Sequence, residues 1–447
     1  MFTKGKKALI AISVASALGV VTGGAYANET LIDKLYEKGV ISDTDYKELK
    51  AEKPDVDPNS LKGKWKGGFK WESADKKNKF QVAGRVQMDY YDYDHENEES
   101  EYSIRRVYLG VKATIDEIWG VEATYNPDAS NLEYGYLDYK PSKKFITRFG
   151  QQKFYAGFEE GTSSRFVDFL ERSVADGLHP GKQIGIQVFG EPIKKTFFYA
   201  LGHYNGEGSN AGETDADNDG KDTMLALAYN AAGALGSKDM IAHVGYATAH
   251  GSRDANIDAD DGFGTIFSLD GEARGDTFGT WTTTGNSFTR DYTNAVLVVA
   301  KGPFKFMTER TTVEVDADGS AGEVEASQMS LMWRLTGEPY AKTYSMKGMK
   351  GVKPNQPFNS KGGLGSWEIG LRKSEWDAQQ ADPNAALLAY AGATLVKTTT
   401  LGVTWVPTEK VRFKANLVDT DYGQVLALGN SIETEEQAVI FRAQVDF

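Results

Sequence analysis

The 447-residue chain has no cysteine, which excludes disulfides and every thiolate metal site. Histidine is nearly as scarce. His95, His179, His203, His243 and His250 are the full complement, and none stands four residues from another, as a helical zinc pair requires. There is no glycine-rich phosphate loop ending in Lys-Ser/Thr and no Gly-x-Ser-x-Gly elbow. Past residue 27 no apolar run approaches the ~18 residues that a membrane-spanning helix needs. An enzyme, a cofactor-binding protein and a helical membrane protein are therefore not expected, and with a net charge of −13 neither is a nucleic-acid partner.

What the chain does have begins with a leader. Lys4, Lys6 and Lys7 precede an apolar run from Ala8 to Val21, and Ala25-Tyr26-Ala27 supplies the small residues of a cleavage site. Residues 1–27 are predicted to be a signal peptide and carry no information about the fold. Residues 28–60 form a second unit. Leu31, Leu35, Val40, Ile41, Tyr46 and Leu49 are spaced for two short helices around Gly39, the second capped by Ser42, and a charged linker runs from Ala51 to Asn59. A periplasmic docking arm and a loose tether both fit that pattern.

Residues 61–447 alternate. Val439, Phe441, Ala443, Val445 and Phe447 share one face of the last ten residues, and Ile440, Arg442, Gln444 and Asp446 share the other. The pattern recurs at Gln81 to Tyr91, Ser103 to Ile115, Gln328 to Thr336, Trp367 to Arg372 and Val411 to Leu417. Strands of about ten residues, apolar on one side and polar on the other, predict a transmembrane antiparallel β-barrel whose outer face meets the lipid bilayer. Aromatics at 12% and 48 glycines suit strands, interfacial girdles and turns, although a mean hydropathy of −0.45 looks soluble. A slip of one residue would put Arg or Lys into lipid at ~2–4 kcal/mol each. Four acidic runs, Glu96 to Glu101, Glu207 to Asp222, Ser252 to Asp261 and Asp316 to Glu325, read as long external loops. Asp215, Asp217 and Asp219 have calcium-loop spacing, but Ala226 stands where a bidentate Glu is needed, so a solvated loop is expected there.

Gly84-Arg85, Arg105-Arg106-Val107-Tyr108-Leu109-Gly110, Gly150-Gln151-Gln152-Lys153, Glu171-Arg172-Ser173 and Trp367-Glu368 with Arg372 together resemble the phosphate-selective porin family of Gram-negative outer membranes. The resemblance spans nearly all of the chain past the leader. It implies about 16 strands, a homotrimer, and a third external loop, here Tyr155 to Lys182, folded into the lumen. Phe447 likewise resembles the terminal aromatic through which such proteins reach the outer-membrane assembly machinery.

An anion entering a narrow pore loses hydration that fixed cations must replace. Parity turns Arg85, Arg106, Lys112, Arg148, Arg334, Arg372, Arg412, Lys414 and Arg442 inward, and Lys153, Arg165 and Arg172 lie in or beside the constricting loop. These twelve are the candidate contacts for small anionic solutes. Asp89, Glu122, Glu309, Glu368 and Asp446 stand ready to pair with them instead and brace the wall. The acidic net charge opposes an anion pathway if it surrounds the mouth within a Debye length of ~8 Å. Phosphate or another oxyanion is the first expectation; a general porin and a structural or adhesive barrel are the alternatives. Removing Gly161 to Asp168 should raise conductance and weaken anion preference.

Overall fold

A computed structural model describes residues 36–39, 42–44, 46–47 and 60–447, except 66–67, 95–99, 207, 211–219, 255–263, 276, 285–286, 360, 382–387 and 429–430. The predicted leader, most of the unit 28–60 and the Asp215 to Asp219 run lie outside the described residues.

Sixteen strands form the wall. They are β1 (Lys79–Tyr93), β2 (Glu101–Ile115), β3 (Trp119–Asn126), β4 (Asn131–Ser142), β5 (Phe145–Lys153), β6 (Lys182–Ile193), β7 (Phe197–Tyr204) and β8 (Asp222–Asn230). The second half comprises β9 (Met240–Asp254), β10 (Ser287–Lys301), β11 (Phe304–Ala317), β12 (Ser320–Arg334), β13 (Ser366–Gln380), β14 (Leu395–Thr408), β15 (Val411–Leu428) and β16 (Ser431–Asp446). Each pairs antiparallel with its neighbours, and β16 returns to β1 with Ala438 opposite Tyr93 and Asp446 opposite Arg85. The sheet is closed, so no edge is left for lipid to meet.

The faces follow the alternation. Leu109, Met329, Leu331, Trp333, Leu371, Phe413 and Phe441 are exposed on the outside, while Arg85, Gln87, Asp89, Arg372, Arg442 and Gln444 are buried inside. The C-terminal residue is locked into the wall: Gly84 N–H donates to the Phe447 carbonyl and Phe447 N–H donates back to Gly84. A Cβ at Gly84 would lie 2.5 Å from the Phe447 ring, so only glycine fits there.

One expected loop is not a loop. Asp316 to Glu325 was expected to be a long external excursion, but β11 and β12 run straight through it to a two-residue turn at Asp318-Gly319. Here the pattern is inverted. Val313, Val315, Val324 and Ala326 are buried on the inside while Glu314 and Asp316 are exposed outside. These strand tops rise beyond the lipid, where water takes the outer face and packed loops take the inner one.

The lumen is filled from both ends. Residues 154–181, between β5 and β6, turn inward with two single-turn helices, Phe158–Gly161 and Val174–Gly177. Residues 335–365, between β12 and β13, enter from the opposite end and carry a 3-10 turn at Tyr340–Lys342. The two meet where Met349 N–H donates to Thr162 Oγ1 at 2.9 Å. A third insertion, from the segment between β9 and β10, brings Glu272 to Arg372. Together they pack against β9 to β14, so Val296, Val298, Met307, Met332 and Trp376 form an apolar core inside the barrel. A polar cavity stays open against β1 to β6.

Candidate functional site

The open path runs between the constricting loop 154–181 and the wall. Its lining includes Arg85, Arg106, Lys112, Lys153, Arg165, Arg172 and Lys182, with Glu122, Glu133 and Glu160. Seven cations against three carboxylates make this the basic part of an acidic chain. Ser163, Ser164, Tyr108 and Tyr134 complete it.

Two bulges shape the wall here. Gln87 pairs with Arg106 and Met88 with Ile104, so Arg105 is an extra residue on β2. Alternation alone would send Arg105 into lipid. The bulge turns it inward instead, where its Nε donates to Glu171 at 3.0 Å. On β4, Thr124 pairs with Tyr134 and Tyr125 with Leu132, which leaves Glu133 unopposed. Glu133 is buried and holds Lys182 at 2.7 Å.

The lining cations divide by partner. Lys112 meets Glu122 at 2.8 Å, and Glu160 takes both Lys153 at 3.1 Å and Arg172 at 3.0 Å. Arg172 also donates to the Thr162 carbonyl at 3.0 Å. Arg85 and Arg165, in contrast, meet no carboxylate among the described residues. Arg85 donates to Ser164 Oγ at 2.9 Å and lies 4.2 Å over the Tyr108 ring. Arg165 donates to Ser163 Oγ at 3.4 Å. Arg106 stands between the two groups, with Gln87 at 3.2 Å and Glu171 at 3.7 Å.

Six of the twelve candidates, Arg148, Arg334, Arg372, Arg412, Lys414 and Arg442, do not line the path. Arg148 grips Asp138 at 2.7 Å and Arg334 grips Glu368 at 2.8 Å. Arg412 donates to the Arg165 carbonyl at 2.7 Å, and Lys414 to the Phe169 carbonyl at 2.8 Å. Arg442 binds Asp89 at 2.6 Å, Glu171 at 2.5 Å and the Leu170 carbonyl at 2.6 Å. Lys305, which sequence reading passed over, holds Asp168 at 2.5 Å. Arg412, Lys414, Arg442 and Lys305 tie the loop to the wall, whereas the Arg148 and Arg334 pairs brace neighbouring wall strands. Of the expected bracing carboxylates, Glu309 instead receives the Phe158 and Glu159 N–H groups, each at 3.1 Å, at the start of the loop's first helix. Asp446 accepts from Gln444 at 3.1 Å.

Glycines make room for the loop. Gly370 faces Gly402 across β13 and β14, and a Cβ at Gly402 would stand 2.8 Å from the Phe169 ring. Phe169 is thereby seated on bare backbone beneath Arg372, whose guanidinium lies 4.6 Å from its ring.

Glu171 is the loop's charged anchor. Burial would raise its pKa, yet Arg442, Arg105 and Arg106 outweigh that and hold the carboxyl well below the usual range. A group depressed on folding stabilises above its unfolded value of about 4.3 and loses that contribution only as pH falls through the lower folded value. The hold of Glu171 on the loop is therefore expected to persist from pH 8 down to about pH 5, still above the ordinary carboxylate range. Glu171→Gln should accordingly raise single-channel conductance in planar bilayers by the same factor at pH 8 and at pH 5, and a difference that vanishes at pH 5 would count against Glu171 as the anchor.

A closed sixteen-stranded barrel with an apolar outer belt and a loop-narrowed polar path is an outer-membrane porin. Residues 80–447 match the family of phosphate-selective porins O and P, and the chain belongs to that family. It is 26% identical to porin O of Pseudomonas aeruginosa over 390 residues, covering 79% of this chain and 86% of that one. Its fold is similar to that of OmpT, an outer-membrane protein of Vibrio cholerae. The TM-score is 0.51 at 12% identity, over 83% of this chain and 98% of that one. OmpT in its trimer form gives 0.50 at the same identity, over 83% and 99%.

Proposed function

We propose that this porin passes small oxyanions, phosphate first among them, by passive diffusion, and that Arg85, Arg106 and Arg165 with Ser163 and Ser164 are the groups that meet the solute. The observation that carries this reading is the pair Arg85 and Arg165, two guanidinium groups beside hydroxyls with no carboxylate of their own among the described residues. A guanidinium fork donates to two oxygens of an oxyanion at once and never deprotonates, so it replaces lost hydration without a proton step. Lys112, Lys153, Arg172 and Lys182 are each paired with a carboxylate, Glu122, Glu160, Asp176 or Glu133, so the positive field comes chiefly from Arg85, Arg106 and Arg165 and stays weak enough for the ion to leave. The acidic net charge does not contradict this, because seven basic residues collect along the cavity between the loop and the wall.

The same reading includes a homotrimer, export behind a leader ending near residue 27, and delivery of Phe447 to the assembly machinery. It needs no catalytic group and no cofactor. The test is the reversal potential across a KCl gradient, with and without added phosphate. Replacing Arg85 and Arg165 together with Ala should lower the anion-to-cation permeability ratio and weaken phosphate block of chloride current by roughly a hundredfold, as expected for losing two charge-assisted contacts of about 1.5 kcal/mol each. A wild-type channel that prefers anions yet is not blocked by phosphate would identify a general anion porin. An unchanged double variant would remove these arginines from the path.

A further inference from the structure

Ahead of the barrel a short hairpin pairs Leu61–Trp65 with Phe69–Ser73. Its second strand continues onto the start of β1, with Phe69 opposite Val82 and Trp71 opposite Phe80. On that side of β1 the strand β16 has already ended, with Asp446 opposite Arg85. The hairpin therefore extends the wall past the rim, in the lane directly beyond Phe447. This is the end bearing most of the short turns, which in outer-membrane barrels is the periplasmic end.

Register fixes what each face carries. Trp65, Phe69 and Trp71 lie on the same side as Phe80 and Val82, the side that becomes the lipid face higher up β1. Trp65 is 61% exposed and Phe69 55%. Their rings form an unbroken strip, with Trp65 to Phe69 at 4.8 Å, Phe69 to Trp71 at 6.1 Å and Trp71 to Phe80 at 5.6 Å. Lys62, Lys64, Lys70 and Lys79 occupy the other side. Glu72 is the carboxylate among them, and it takes Lys64 at 2.9 Å and Lys79 at 3.4 Å. From Leu61 to Phe80 the sequence holds seven lysines and two acidic residues, inside a chain of net charge −13.

We infer that this hairpin is a foot that binds anionic phospholipid headgroups of the periplasmic leaflet. Two observations select that occupant. The aromatic strip is continuous with the lipid-facing surface of the barrel, at the rim where amphipathic rings settle among headgroups. The local charge is strongly positive, and lysines at a membrane surface draw anionic lipid, here from the face opposite the rings. A second copy of this chain is a poorer fit, because its own matching surface is equally basic and the rest of it is acidic chiefly in the segments at the far end.

The experiment places the full-length porin in nanodiscs of phosphatidylcholine with one quarter phosphatidylglycerol. It then counts the phosphatidylglycerol retained by native mass spectrometry after extraction in mild detergent. Two variants are compared with the wild type: W65S/F69S/W71S and K62Q/K64Q/K70Q. Each should retain phosphatidylglycerol roughly tenfold less well, with unchanged single-channel conductance and unchanged heat-modifiable migration. The lysine variant leaves the aromatic strip intact and decides the matter if the aromatic variant fails to assemble. Retention equal to wild type in the lysine variant would overturn the proposal. So would dissociation of the oligomer with retention unchanged, which would make the hairpin a contact between subunits.

Discussion

Replacing Arg372 with methionine should lower the stability of the folded barrel by about 3–5 kcal/mol, the range for breaking a buried ion pair from one side. Conductance should rise at the same time. Arg372 projects from β13 with its side chain 2% exposed. It donates to Glu272 at 2.5 Å, to Glu159 at 3.3 Å and to the Glu171 carbonyl at 3.1 Å. Glu272 in turn accepts from Thr400 at 2.8 Å and from the Val174 N–H at 3.2 Å. One side chain thus joins the wall, the constricting loop and the segment between β9 and β10. Methionine fills the volume but leaves Glu159 and Glu272 facing each other without their cation. The matched control is Arg310→Met. Arg310 pairs with Glu325 on the exposed outer face of the strand tops, where such a pair contributes about 0–1 kcal/mol. Thermal unfolding followed by circular dichroism, with bilayer conductance, checks both. Equal losses from the two substitutions would show that the buried network does not hold the loop.

The closed sheet was legible because lipid enforces one rule over many strands. Leu109, Leu371 and Phe441 are exposed and Arg372 and Arg442 are buried, as their parity requires. Where the solvent on either face changes, the rule changes with it. Above the lipid, β11 and β12 carry valines inward and carboxylates outward, so the same alternation looked like an acidic loop. Against the packed insertions β10 is apolar on both faces, with Val296 and Val298 inside and Leu297 and Val299 outside, and the period-two contrast vanishes. Bulges erase parity altogether. Arg105 and Glu133 are absent from the inward candidates, yet a charge at a lipid-facing position of a strand is itself the clue, since lipid would not tolerate it there. The inward segment 335–365 left no such trace. Its buried Tyr340, Tyr344 and Met346 are ordinary loop residues until the lumen surrounds them.

Deleting Gly161 to Asp168 should raise single-channel conductance and abolish most phosphate block, yet anion preference should be kept or strengthened. Sequence reading expected the preference to weaken, because the segment contains Arg165. The structure reverses that sign. The eight residues carry one cation and one carboxylate, Arg165 and Asp168, so their removal is neutral in charge. What they cover is not neutral. Lys305 is held by Asp168 at 2.5 Å, Arg412 donates to the Arg165 carbonyl at 2.7 Å, and Lys414 donates to the Val167 carbonyl. Without the segment these three wall cations lose those partners and face a wider, wetter lumen, adding positive charge along the path. Phosphate block should fail for a separate reason, since Ser163, Ser164 and Arg165 leave with the loop and Arg85 loses the Ser164 hydroxyl it donates to. The deletion and the Arg85/Arg165 double substitution therefore differ in kind. The first widens the pore and keeps its sign, whereas the second keeps the width and weakens the sign. Reversal potentials and conductance steps in planar bilayers separate them. Conductance unchanged by the deletion would mean that residues 154–181 do not narrow the path, and the eyelet would have to be placed elsewhere.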